Sequence, residues 1–453
     1  MAQFFRERSW DIHIMDIDRG EPASELPGIT LHLFKQPAGQ IPDSLVLSRT
    51  ASIFLVKLLR QLQPDILHSH YVTFFGWTAA LAAFTPTVAT VWGSDLFIEA
   101  RSNKVNRRLA SFTLRTASYV TADSLDLLEE AQQLRGTPEG SELILFGIDT
   151  ERFRPELDTS TLQHRGLPFI SHENSHRRIV LSIRQFKPQA NIHVMVEAIP
   201  RVLEHHPETL FILKSFLTRD TPFQKYEDII RRRVDELGLA DNVVFMGDVP
   251  ADDLPLLFNL ADISLSLRNT DGASCSVLES MACGTPVITG SIPAMAEWIE
   301  HEQNGLLIHH TDSQELAAAI IRLLDDAPFL ECLSLNARKT AVERADYRKA
   351  WEQLEARYQT LMEKNRQGLK SSDPVELSHY YLWHKQADKA QKTLSKYLTS
   401  RNLRVYDCLR ALVALGAVAA ITGDNEKAKR MYSSFSNLLT QADLDTPMSV
   451  NVR

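Results

Sequence analysis

Twice along the chain, short apolar runs alternate with amphipathic stretches, and this repetition limits the folds available more than any other feature. In the amino-terminal half, Asp11–Ile17 and Ile29–Phe34 alternate polar and apolar positions as strands do. Ser48–Leu62 follows, a helical stretch with Leu55, Leu58, Leu59 and Leu62 on one face, and Pro64 stops it. Asp65–His70 is a short strand, Trp77–Phe84 a small-residue helix, and Thr87–Trp92 a strand running into Gly93-Ser94-Asp95. Another helix, a strand at Ser118–Thr121, a helix at Ser124–Leu134 and the apolar Leu143–Leu145 complete that series. Strands separated by helices predict a parallel sheet covered on both faces. The polar stretch Thr159–Arg178, with Gly166 and Pro168, is an interdomain linker, and a second series starts at Ile179–Ile183. At 453 residues the chain is too long for a single core.

Sites in such sheets lie beyond the carboxyl ends of the strands. His68, His70 and Asp95 fall there in the first half, where ordinary loop residues would look the same. His68 and His70 are two apart and share a strand face, but no third metal ligand is evident. In the second half, Arg184 and Lys187 follow the opening strand. Helices are predicted at Ile192–Leu203, Tyr226–Leu237 and Asp253–Leu260, with strands at Leu210–Lys214, Val243–Met246 and Ile263–Leu267.

The most informative text is Asp271–Gly290: a strand leads into the small-residue turn Gly272-Ala273-Ser274-Cys275, then a helix, then Gly284, Pro286 and a new strand. Gly272 lets backbone approach a ligand, and the unpaired amides of a helix start suit diphosphate oxygens. Asp271 and Glu279, about two turns into the helix, would repel phosphate, so they are expected to accept hydrogen bonds from sugar hydroxyls. Arg184 and Lys187 would balance the phosphate and stabilise a departing diphosphate. The plainer alternatives are a Glu279 that faces solvent or pairs with a basic side chain, and Arg184 and Lys187 as surface charges.

With these segments in view, residues 10 to 363 resemble the GT-B glycosyltransferases of the glycosyltransferase family 4 type, which are retaining and use nucleotide sugars. The resemblance rests on Asp271 and Glu279 with Ser280–Val287 after them, on Asn304–Leu307, on Gly147–Pro155, on Asp65–Tyr71 and on Thr90–Asp95, in that family's order and separation. It implies an α/β GT-B fold, two Rossmann-like domains with an interdomain cleft plus a C-terminal helical extension. The expected parts are an acceptor domain over 1–165, a nucleotide-sugar domain over 176–345, a crossover helix over 346–365 and the extension over 374–440. It further implies that Glu279 holds the ribose and Asp271 contacts the donor sugar. Arg184 and a nearby lysine would grip the diphosphate, Gly272, Ala273, Ser274 and Cys275 would line the pocket, and His68, His70 and Asp95 would face the acceptor. The implied reaction is hexosyl transfer from a nucleotide diphosphate sugar to a glycan, lipid-linked or small hydroxyl acceptor, in cell-surface polysaccharide or glycolipid synthesis. The nucleotide sugar is a co-substrate; no metal or other cofactor is expected.

Several departures stand out. The family's opening strand and glycine turn, before the helix at residues 1 to 8, are absent. The first acid is Asp271 where glutamate is usual. Gln189 stands five residues after Arg184 in the lysine's place, with Lys187 only three after it. Trp92 replaces a histidine, and Ser215 a glycine. The first and third favour an alternative reading, a catalytically weakened nucleotide-sugar-binding or scaffold paralogue.

Outside the resemblance, Leu377–Leu398 and Val405–Leu439 are helical, the second broken at Gly423–Ala428, in a pattern weakly like a tetratricopeptide pair. This tail is expected to dock on the catalytic body, with a protein partner as the less favoured role. The formal charge of -8 argues against nucleic acid as a partner. Cys275, Cys283, Cys332 and Cys408 form no CxxC pair, which fits reduced thiols. No run of 18 apolar residues is present and the amino terminus does not read as a signal peptide. The expected location is therefore cytoplasmic, with peripheral contact at the inner membrane face left open.

Overall fold

The computed structural model describes residues 1–18, 26–35, 44–160, 162, 177–214, 224–247, 249–367, 371–399 and 403–448. Most of the expected linker, with Gly166 and Pro168, and Ser215 lie outside the described residues. The chain divides into two compact units, one of residues 1–123, 127–144 and 351–453, the other of 124–126 and 145–350.

In the first unit, β1 (His13–Asp18) pairs in parallel with β2 (Thr30–Lys35). A separate parallel sheet has the order β3 (Leu67–His70), β4 (Thr87–Thr90), β5 (Tyr119–Ala122), β6 (Ser141–Leu143). Helices Ser44–Leu62, Phe74–Leu81, Lys104–Thr116 and Leu125–Arg135 connect them, the last beginning in the short 124–126 piece assigned to the second unit. The tail is two helical hairpins, Pro374–Trp383 with Ala387–Leu398 and Val405–Thr422 with Asn425–Gln441. Sequence periodicity runs through 377–398, but Lys385 adopts φ +62° and breaks that stretch in two. These helices share one core with the α/β layer: Leu55, Leu59, Trp77 and Phe112 cluster with Val413, Ala417, Tyr432 and Phe435. Tyr432 donates to the Leu81 carbonyl at 2.9 Å and Trp383 to that of Ala83 at 2.7 Å. Gly416 has no side chain because a Cβ there would stand 2.5 Å from the Tyr432 ring.

Val405–Thr422, interrupted by Asp407 and Arg410, comes nearest to the apolar run the sequence lacks. It is long and apolar enough to cross a membrane, with a mean hydropathy of 1.6 over 18 residues. It is mostly buried against neighbouring helices, and a core helix passes the same test of length and composition.

The second unit carries a parallel sheet of β7 (Ile179–Ser182), β8 (Leu210–Lys214), β9 (Val243–Met246), β10 (Ile263–Ser266), β11 (Val287–Gly290) and β12 (Leu306–Ile308), in the order β12-β11-β10-β7-β8-β9. Successive residues serve opposite faces, as the pleat requires. Val180, Phe211 and Leu213 join the core beneath Ile192–His205 and Ser313–Asp325. Ile179, Leu181, Leu210 and Ile212 join the one beneath Leu254–Leu260, Cys275–Ala282 and Ala327–Arg344.

The Gly147–Pro155 segment belongs to this second unit rather than to the 1–165 domain expected. Ile148 accepts from the Tyr347 amide and donates to Ala345, forming a bridge to Asp346. Gly147 sits at φ +67°, and a Cβ there would lie 2.5 Å from the Tyr347 Cα, so only glycine fits. Helix Tyr347–Arg366 begins in this unit and joins the first from Trp351 onward.

Candidate functional site

The strand order of the second unit reverses between β7 and β10: the chain passes from β7 outward to β8 and β9, then returns to β10 on the other side. Such a switch point opens a crevice at the carboxyl ends of the two strands. Arg184 follows β7, and Asp271 to Ser276 follow β10, so topology alone brings them together.

Arg184 is the hub. Its Nη1 donates to Ser274 Oγ at 2.9 Å and Ser276 Oγ at 2.8 Å, and its Nη2 to the Asp271 carboxylate. Arg268 Nε lies 3.7 Å from the same carboxylate. Three of the five guanidinium donors are thus committed among the described residues, and Asp271 is neutralised by two arginines. That resolves the repulsion its charge would otherwise offer to phosphate. Helix Cys275–Ala282 starts here with Ser274 as N-cap, whose carbonyl receives the Val277 and Leu278 amides. Gly272 and Ser274 are buried, Ala273 half-buried and Cys275 exposed.

Glu279 lies three residues beyond Ser276, on the same helix face. It is half-buried, and desolvation raises its carboxyl from 4.5 to about 7 against the lowering pull of Arg152. A carboxyl left under-solvated at the end of a crevice is a candidate acceptor for ligand hydroxyls. Lys187 occupies the loop after Arg184, ahead of the one-turn helix Pro188–Ala190. Gln189 contributes a buried Oε1 with no hydrogen-bond partner among the described residues.

The residues expected on the acceptor side gather in the first unit, at the ends of β3 and β4. His68 is bonded through Nδ1 to the Tyr358 hydroxyl and through Nε2 to Thr90 Oγ1 at 2.6 Å. His70 stacks on His68 at 4.2 Å and is tilted against Trp92. Burial, then the nearby amino-terminal charge, holds the His70 imidazole down at about 4. Asp95 is fully buried, and its carboxylate accepts from the backbone amides of Val72, Trp92 and Leu96 at 2.8–3.1 Å. It therefore ties the β3 and β4 loops together. Desolvation raises its carboxyl to about 6, chiefly against those three hydrogen bonds.

Sequence reasoning missed Arg268, Ser276 and Arg338. The first is the charged residue ending an apolar strand, a visible signal. Arg338 caps the carbonyls of Thr150, Phe153 and Ala282 at 2.8–3.0 Å and had no such signal, because its partners are far away in sequence. Among the described residues no group of three or more His, Cys, Asp and Glu is placed to hold a metal ion.

Two family models match the sequence: "Glycosyl transferases group 1" over residues 166–340 and "Glycosyl transferase 4-like" over 1–124. The chain is 25% identical over 287 residues to an uncharacterized glycosyltransferase of Methanocaldococcus jannaschii, covering 62% of this chain and 71% of that one. Both of its α/β series are thus similar to glycosyltransferases. It is also 24% identical over 321 residues to the GDP-mannose-dependent alpha-(1-6)-phosphatidylinositol monomannoside mannosyltransferase of Mycobacterium tuberculosis, covering 68% of this chain and 77% of that one. Among solved structures it resembles Anabaena HepE in complex with UDP and glucose, with a TM-score of 0.62 and 23% identity over 74% of this chain and 87% of that one. This likeness shows the fold: Rossmann-like α/β units with a C-terminal helical extension.

Proposed function

We propose that this GT-B glycosyltransferase relative transfers a hexosyl group with retention, from a nucleotide diphosphate sugar to a hydroxyl of a polysaccharide or lipid-linked acceptor. The observation that carries the reading is Arg184, held by Asp271, Ser274 and Ser276 at the sheet's switch point, with Glu279 on the same helix face. In this reading Glu279 accepts from the ribose hydroxyls. The two donors of Arg184 left uncommitted among the described residues, with the helix start, meet the diphosphate and the charge that grows on it as the glycosidic bond breaks. Lys187 adds positive charge from the same loop. Asp271 orients Arg184 and faces the donor sugar, and Gly272, Ala273 and Cys275 line the pocket. His68 and Asp95 are spent on the framework, so acceptor contact is expected more broadly at the carboxyl ends of β3 and β4. Of the named relatives one is GDP-mannose-dependent and one holds UDP and glucose, so donor panels should include both bases.

A second reading is a protein that binds nucleotide sugar without turnover. It draws on Gln189, neutral where the resembled family carries the phosphate-gripping lysine, with its Oε1 unsatisfied.

Incubation with UDP- and GDP-linked hexoses and glycan or lipid-linked acceptors, with release of the nucleoside diphosphate followed, tests both. Acceptor-dependent release supports transfer. Saturable binding without release supports the second reading, and no binding of any donor contradicts both.

A further inference from the structure

Within the first unit, where the helical tail meets the α/β layer, lies a cavity of about 410 Å³ that the donor chemistry does not use. Its size falls in the range of small-ligand pockets. Arg115, Arg135 and Arg410 line it, together with Tyr380, Trp383 and Tyr406. Two of the guanidiniums have carboxylate partners: Arg115 holds Asp445 bidentately at 2.9 Å, and Arg410 holds Asp373 at 2.7 Å. Both lie over the Tyr406 ring, at 5.4 and 5.6 Å from its centroid. Arg135 differs. Its contacts are the carbonyl oxygens of Leu114, Ala117 and Glu139. Carbonyl dipoles orient a guanidinium without cancelling its charge, and burial disfavours that charge, as the downward direction of its pKa shows.

Arg115 Nε and His379 Nε2 are enclosed by protein and have no hydrogen-bond partner among the described residues. Glu376, also in the lining, is exposed. The aromatic part of the wall offers a flat face: Tyr380 stacks on His384 at 3.9 Å, with Trp383 anchored through its indole N–H to Ala83. Converging guanidiniums favour an oxyanion that accepts several hydrogen bonds at once, and an aromatic wall favours a ring.

We propose that this cavity is a second ligand site, which binds a phosphomonoester bearing a ring, either the sugar of a sugar phosphate or the nucleobase of a nucleotide. Arg135 meets the phosphate, and the Tyr380 and Trp383 rings meet the ring face. The site is separate from Glu279 and stands whether or not the donor assignment does.

Calorimetric titration of the full chain with inorganic phosphate, glucose 6-phosphate and UMP tests it, with the UMP arm run in the double variant Glu279→Gln, Arg184→Gln to weaken the donor site. At least one ring-bearing probe is expected to bind with Kd on the order of 0.1–1 mM, roughly tenfold tighter than inorganic phosphate. A preference for glucose 6-phosphate assigns a sugar, and one for UMP a nucleobase. Arg135→Gln is expected to weaken every probe about tenfold. Tyr380→Ala is expected to weaken the ring-bearing probes and leave inorganic phosphate unchanged. If Arg135→Gln fails to fold, the Tyr380→Ala contrast decides alone. No binding at about 10 mM of any probe, or binding that the foldable variants leave unmoved, overturns the proposal.

Discussion

Glu279→Gln should make the protein more stable and less able to bind nucleotide. In the folded chain the Glu279 carboxyl titrates at about 7 rather than 4.5, because burial penalises its charge. The unfolded chain ionises first, so wild-type stability falls as pH rises from 4.5 to about 7 and then levels off. At 1.36 kcal/mol for each pH unit of that window, the loss reaches about 3 kcal/mol. Glutamine has nearly the same shape and no charge, so the variant escapes that loss. It should match wild type near pH 4 and exceed it at pH 8 by about 1–3 kcal/mol, a rise in melting temperature of roughly 2–4 °C per kcal/mol for a unit of this size. Scanning calorimetry at both pH values reads this directly. If the carboxylate also accepts from ribose, the variant should lose about 10–100-fold in nucleoside diphosphate affinity at pH 8, the worth of a charge-assisted hydrogen bond. Wild-type affinity should rise with pH through about 7, and the variant's should not. A variant no more stable than wild type at pH 8 would refute the burial argument. One that gains stability but keeps full affinity would refute the assignment to ribose.

Arg184→Gln should lower nucleoside diphosphate affinity at least tenfold while affecting free uridine or guanosine little, since its role is toward phosphate; titration of both ligands checks this. Gly147→Ala should destabilise the second unit by about 2–4 kcal/mol in urea unfolding, because its φ is positive and the added methyl meets Tyr347 backbone. Asp95→Asn should cost about 1–3 kcal/mol, since an amide cannot accept from all three backbone N–H groups, and should leave nucleotide affinity unchanged.

The second unit was the more legible in sequence. Its strands run as bare apolar blocks, so Leu210–Lys214 and Val243–Met246 end where pattern places them. The turn after β10 was readable because small residues between a strand and a helix have few other uses. Partnership was harder to see. Nothing local says that Arg184 pairs with Asp271, 87 residues away, or that two serines hold it. Asp95 shows the converse: a carboxylate at a strand end looks like a ligand group until burial and three backbone amides account for it. The units divide differently from the expected domains because the Ile148–Asp346 bridge joins segments almost 200 residues apart, a long-range pairing that periodicity does not reveal.

The most direct test is a crystal structure with UDP or GDP bound, whichever the chain binds more tightly. The account predicts ribose hydroxyls within hydrogen-bond reach of Glu279 and the diphosphate against Arg184 and the start of the Cys275–Ala282 helix. A nucleotide seated elsewhere, with Arg184 still closed on Asp271 and Glu279 untouched, would contradict it.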